Sequence, residues 1–275
     1  MSLVGKKMRL ARIFKDDEKA FVIAMDHGVE MGPVSGLEDI RSTIKKVLVG
    51  DYKPDALLMT PSMLRLCHQE LTCKVGVIAR LDGATTTMGP DITNYRLISS
   101  VEEALVCGAD AVASMAFVGV ENESQNLERI GKVSQECLKF GMPHVVEALP
   151  PEIVEHHFKP KARWRWPDPE HVKFVDRVAA ELGADVVKSY YTGDMETFRE
   201  VVKCCPVPII VLSGPGASDP EGLLKIAQEA IEAGARGVIM GRNVFGHKNP
   251  AAMVKAISRI VHESESIENV KSSVL

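Results

Sequence analysis

Lys188 stands where a lysine needs a reason. The residues before it, Asp185-Val186-Val187, read as a short buried strand inside residues 183–194 (GADVVKSYYTGD), and an apolar strand seldom ends in an ammonium group. In a low-dielectric pocket at a strand end, the charged form is penalised and a neutral amine becomes available near neutral pH. Such an amine can add to a carbonyl carbon and form a Schiff base. The alternative is a lysine whose stem lies along the strand mouth and whose charge stays in water.

Other groups of chemical interest also follow apolar runs. Asp26 and His27 follow AFVIAM (residues 20–25), and Glu147 lies within residues 144–149. A carboxylate and an imidazole are the usual carriers of a proton. Ser213-Gly214-Pro215-Gly216 follows PIIVL (208–212), and Gly241-Arg242-Asn243 follows GVIM (237–240). Glycines let backbone N–H groups approach phosphate oxygens, and Arg242 can pair with them bidentately. Either glycine cluster alone is an ordinary turn; after two successive strands they suggest a phosphate clamp at Ser213, Gly214, Gly241 and Arg242.

Eight short apolar runs position these groups: near residues 20–25, 56–59, 75–79, 111–117, 144–149, 185–187, 208–212 and 237–240. Helical spacing separates most of them, and GAD or GAR precedes the fourth, sixth and eighth. Alternation of this kind argues for a parallel sheet. Eight units in 275 residues fit one (β/α)8 TIM barrel, which commonly takes about 250. An open doubly wound sheet is the competing arrangement. The expected single domain spans 1–275, with a core at about 9–262 and a polar tail at about 263–275 that should fray. In a barrel, the loops at the C-terminal strand ends meet at one mouth, so acid, amine and cation would converge there.

Hydrophobic residues make up 45% of the chain, charged residues 25%, and the formal net charge is −4. These values describe an ordinary globular protein, and no basic run or basic–aromatic alternation suggests nucleic acid. No apolar stretch reaches membrane-span length and the charged N-terminus lacks a signal-peptide core, so a cytoplasmic protein is expected. The six cysteines are scattered without a CxxC pair, and are expected to be reduced core thiols. Residues 150–168 form a long segment with the character of a barrel-mouth lid. Within it, the adjacent His156-His157 is weak evidence for metal. Trp164 and Trp166 could close over a substrate or pack on another subunit.

Four segments carry a resemblance: MDHG (25–28), ADVVKSYYTGD (184–194), CPVPIIVLSG (205–214) and MGRNVF (240–245). In this order they resemble the DhnA-type class I aldolase family, over about residues 9–262. That family includes archaeal-type fructose-bisphosphate aldolases, aminodideoxyheptulosonate synthases and the autoinducer-2 phosphate thiolase. The resemblance implies a Schiff-base lysine at Lys188, an acid/base Asp26, and a sugar phosphate held by Gly214, Gly241 and Arg242. It also implies no cofactor, no metal and a homo-oligomer. His27 is either a catalytic or a packed histidine.

One position departs from the family. Many members carry a tyrosine proton donor at the end of strand five, where VVEALPPE places Leu149. Glu147, two residues earlier, shares its inward direction one layer deeper, and is either the substitute acid/base group or a structural carboxylate. Tyr190 is a second candidate donor. The expected activity is metal-independent making or breaking of a C–C bond in a phosphorylated keto sugar. Acyl transfer on a phosphorylated diketone and a non-catalytic sugar-phosphate-binding barrel are the alternatives.

Overall fold

The computed structural model describes residues 2–72, 74–158, 164–214 and 219–274. Eight parallel strands close into a barrel: β1 (Ala20–Ala24), β2 (Ala56–Met59), β3 (Gly76–Arg80), β4 (Ala111–Phe117), β5 (His144–Leu149), β6 (Val186–Tyr190), β7 (Ile209–Leu212) and β8 (Gly237–Met240). Each pairs with its sequence neighbours, and β1 closes on β8 with Ala20 opposite Gly237. A Cβ at Gly237 would lie 2.0 Å from the Ala20 carbonyl oxygen, so a residue without a side chain is needed at that seam.

Strand periodicity sorts the side chains between two cores. Alternate residues such as Val22, Leu58, Ile78, Val145, Val186 and Ile239 fill the barrel interior. Their neighbours, including Phe21, Ile23, Leu57, Val146 and Val187, pack outward against the helices. Several of those helices begin alike, with a side-chain cap followed by proline. Thr60-Pro61, Asp168-Pro169, Asp219-Pro220 and Asn249-Pro250 each open a helix whose early N–H bonds to the cap oxygen.

Three differences from the sequence expectation bear on function. Lys188 is the central residue of β6 rather than its end, because Ser189 and Tyr190 continue the pairing with β7. The segment before β1 contains a helix, Ser2–Leu10, and buries Ile13 within the interior core at the barrel floor. The tail is not frayed: Ile267–Val270 is helical, and Val270 and Val274 are 1% and 2% exposed, which supplies the apolar burial that the polar composition concealed.

At the floor, charges pair in a repeated way. Asp55, Asp110 and Asp185, just before β2, β4 and β6, accept the backbone N–H of Phe21, Val77 and His144. Each also faces a cation from the N-terminal segment: Lys15 at 3.4 Å, Arg12 at 2.7 Å and Lys6 at 2.7 Å, respectively. Among the described residues no helix is long and apolar enough to cross a membrane. Cys67 and Cys137 are buried thiols as expected, whereas Cys204 is exposed at a helix end; Cys73 lies outside the described residues.

Candidate active site

The register of two adjacent strands brings together the first pair. Glu147 on β5 stands opposite Lys188 on β6, and both side chains point inward from the barrel wall. Lys188 Nζ donates to Glu147 Oε2 at 2.6 Å, with the two side chains 9% and 7% exposed. The burial expected of Lys188 is therefore present, but it comes with a carboxylate in contact and the lysine is not isolated. Tyr190, two residues along β6, lines the same cavity; burial first, then the charges of Glu147 and Glu30, raise its phenol well above the usual range. Leu149 is fully buried in the interior core.

A second group is gathered by β1 and β3. Asp26 follows β1 and accepts from Arg80 Nη1 at 2.7 Å; Arg80 is the last residue of β3 and 1% exposed. The same guanidinium donates from Nε to Asp82 and reaches Glu30 from Nη2 at 3.4 Å. Burial pushes the Asp26 carboxyl up, but Arg80, then Lys188 and His27, outweigh it and hold it below the ordinary carboxylate range. Beyond β3, Asp82–Gly83 pairs antiparallel with Arg96–Leu97, and this short ribbon returns the chain over the site. Tyr95 consequently lies 5.5 Å from the Arg80 guanidinium and 5.8 Å from that of Arg129, and its hydroxyl donates to Glu30.

The opposite wall is built by β7 and β8. Ser213 and Gly214 follow β7, and Gly241 precedes the short helix Arg242–Phe245 after β8. Gly241 is required by its neighbour: a Cβ there would lie 2.5 Å from His27 Cε1 and 3.0 Å from the Ala24 carbonyl oxygen. His27 thus rests over the Gly241 backbone and edge-on to Phe245 at 5.7 Å. Burial, together with Arg242 and Lys188, outweighs Asp26 and Glu147 and holds its pKa below the ordinary imidazole value. Among the described residues its buried Nδ1 has no hydrogen-bond partner.

All eight residues singled out by the sequence, Lys188, Asp26, Glu147, His27, Ser213, Gly214, Gly241 and Arg242, line one cavity at the C-terminal strand ends. Pro215 and Gly216 lie outside the described residues. The cavity also includes Arg80, which the sequence places at the same mouth after the third apolar run, and Glu30, which sequence reasoning did not assign to the site. Arg80 carried a signal, as an arginine closing the apolar run VGVIA; Glu30 and Tyr95 carried none, because a distant ribbon brings them together. The segment after β5 begins with a helix, Pro151–Phe158, whose Ile153 reaches the cavity wall. The side chains of His156 and His157 lie outside the described residues. Trp166 packs edge-on to Trp164 and Tyr191 of its own chain. Among the described residues no group of three or more His, Cys, Asp or Glu is placed to hold a metal ion.

The family described as DeoC/LacD family aldolase matches residues 20–247, from the start of β1 to just beyond the Arg242 helix. The chain belongs to that family. An uncharacterized aldolase of Saccharolobus solfataricus is 35% identical over 96% of this chain and 97% of the relative. The 2-amino-3,7-dideoxy-D-threo-hept-6-ulosonate synthase of Halobacterium salinarum is 37% identical over 98% and 96%. Among solved structures, a Schiff-base-forming fructose-1,6-bisphosphate aldolase superposes with a TM-score of 0.77 at 27% identity, covering 94% of this chain and all of that one. An archaeal fructose-1,6-bisphosphate aldolase, with its catalytic lysine bound to the carbinolamine intermediate, gives 0.75 at 27% identity and 93% and 99% coverage. The family resemblance and the TM barrel expected from the sequence are both found, and the chain is an aldolase-type enzyme of the Schiff-base class.

Proposed function

We propose that this enzyme makes or breaks a C–C bond in a phosphorylated keto sugar through a Schiff base on Lys188, without a metal. The observation that carries the reading is the Lys188–Glu147 pair, 2.6 Å apart, facing the Arg242 wall across one cavity. Backbone N–H groups at Gly214 and Gly241, the Ser213 hydroxyl and the Arg242 guanidinium hold the phosphate. Glu147 takes the ammonium proton, and the freed amine of Lys188 attacks the substrate ketone. Glu147 then returns the proton to the carbinolamine hydroxyl, which leaves as water and yields the iminium. Asp26, kept ionised by Arg80, removes the hydroxyl proton beside the bond to be cleaved; the C–C electron pair flows to the iminium and leaves an enamine. His27 offers its unpartnered Nδ1 to a substrate oxygen.

The names of the relatives bracket the substrate between a ketose phosphate and the precursors of an amino-dideoxyheptulosonate. The same iminium serves cleavage and synthesis. The rival reading, a barrel that binds sugar phosphate without turnover, leaves the buried Lys188–Glu147 pair without a use.

Borohydride reduction with dihydroxyacetone phosphate or fructose bisphosphate, followed by peptide mass spectrometry, tests the proposal directly. A stable adduct on Lys188, lost in Lys188→Ala together with turnover, is the expected result. Full turnover by Lys188→Ala overturns it, and loss of activity in EDTA overturns its metal-free form. For Glu147, turnover in Glu147→Gln should fall by about 100-fold or more across the pH range. An unchanged profile removes Glu147 from the mechanism.

A further inference from the structure

Three carboxyl groups line the cavity, and their partners differ. Asp26 holds the Arg80 Nη1 bond at 2.7 Å, and Glu147 is engaged by Lys188 at 2.6 Å. Glu30, on the short helix Gly28–Met31 after β1, receives what remains: the Tyr95 hydroxyl and the longer 3.4 Å approach of Arg80 Nη2. Both of these contacts go to Oε1, and among the described residues none goes to Oε2, the oxygen that can carry a proton. The Glu30 side chain is 11% exposed and shares the cavity with Lys188.

We infer that Glu30 is the acid/base group that moves the proton on the carbon next to the Lys188 iminium. The inference rests on the Schiff-base reading of Lys188. After C–C cleavage, the enamine carbon takes the proton from Glu30 Oε2. The π electrons form the new C–H bond, the nitrogen lone pair restores the C=N bond, and the O–H pair stays on the carboxylate. In the reverse direction the Glu30 carboxylate removes that proton, the C–H pair becomes the C=C bond, and the C=N electrons return to nitrogen. The role requires a carboxyl able to hold its proton beside Asp26, which Arg80 keeps ionised. Burial first raises the Glu30 pKa; Arg80 and Tyr95 lower it only in part, and the nearby charges of Asp26 and Glu147 raise it further. Arg80 cannot cancel this effect, because Asp26 and Asp82 already share its charge.

Leu149 makes the assignment necessary, since the strand end that could carry a phenol in this barrel carries an alkyl group. Tyr190 does not take over the task, because burial and the charge of Glu147 raise its phenol well above the usual range and make it the weaker acid. Tyr95 is a positioning residue, orienting Glu30 through Oε1 and favouring its carboxylate form.

The test needs one probe, dihydroxyacetone phosphate in deuterium oxide, with α-carbon exchange followed by NMR and borohydride trapping run in parallel on the full chain. The wild-type enzyme should show both exchange and a Lys188 adduct. Glu30→Gln should keep the adduct while exchange falls by about 100-fold or more. Tyr95→Phe should keep exchange but move its acidic limb to higher pH, because the carboxylate loses a stabilising donor; a purely structural tyrosine would lower the rate without moving the limb. Wild-type exchange in Glu30→Gln overturns the inference and leaves the Schiff-base reading intact. Loss of the adduct as well as exchange in that variant also overturns it, since Glu30 would then act before the iminium. Absence of an adduct in the wild-type chain sinks both readings together.

Discussion

At the floor of the barrel three aspartates are matched by separate cations of the N-terminal segment: Lys6 faces Asp185, Arg12 faces Asp110, and Lys15 faces Asp55, which His262 also bridges. At the mouth one guanidinium, Arg80, serves three carboxylates, while Lys188 and Glu147 form a pair inside a cavity that a ligand can enter. The histidines differ in the same way. His144, fully buried at the start of β5, satisfies both ring nitrogens on Ser114 and Ser134, and burial followed by repulsion from Lys6 and Arg129 lowers its pKa to about 3. His27 at the mouth keeps one ring nitrogen without a partner. Carboxylates that each have a cation of their own stabilise a fold, whereas groups that share one cation or are incompletely satisfied are available to a substrate. The same strands thus perform two tasks, one at each end.

Substitutions can break this contrast. The largest effect is expected from Arg80→Met, which leaves Asp26 and Glu30 without their ion-pair partner and Asp82 with Arg129 as its remaining cation. Removing one partner of buried ion pairs costs about 3–5 kcal/mol, measured by denaturant unfolding. Activity should fall with it, and any residual activity should show its acidic limb displaced upward, because Asp26 loses the cation that holds its pKa down. At the floor, Lys6→Met should cost about 1.5–3 kcal/mol and leave kcat unchanged in the folded enzyme. A large loss of kcat in that variant would mean that the two ends are not separable.

The smallest effect is a pH dependence. His262, on the helix Pro250–Glu263, bridges Asp17 and Asp55 at 2.9 Å each. Burial pushes its pKa down, but the two carboxylates prevail and raise it above 6.5. The folded state therefore holds the proton more tightly, so this contribution is complete below the unfolded value of about 6.5 and fades as pH climbs through the raised folded value. The stability gap between wild type and His262→Gln should be at most about 1 kcal/mol at pH 6 and smaller at pH 8.5. An equal gap at both values would remove His262 from the charge pairing of the floor.

The barrel was readable because each strand is a compact apolar run, and helical spacing fills most of the intervals. The eight cavity residues were readable because barrel geometry sends polar groups after such runs to one place. What stayed hidden depends on contacts between distant segments. Tyr95 lies in a stretch with no strand or helix period, and only the ribbon of Asp82–Gly83 with Arg96–Leu97 carries it back to Glu30. Lys188 was placed at a strand end because the apolar run stops there, yet the backbone pairing continues through Tyr190. The Lys6–Asp185 pair spans 179 positions, and no local pattern announces it.

That separation also bears on the order of assembly. The segment holding Lys6 and Arg12 is synthesised long before Asp110 and Asp185, from which its residues are separated by 98 and 179 positions. Contacts of such high sequence separation form late, after most of the barrel has closed. The floor charges would then act as a latch rather than a nucleus, and the stability lost in Lys6→Met should appear as faster unfolding with an almost unaltered folding rate. An enzyme latched in this way resists opening most strongly at the end farthest from its substrate.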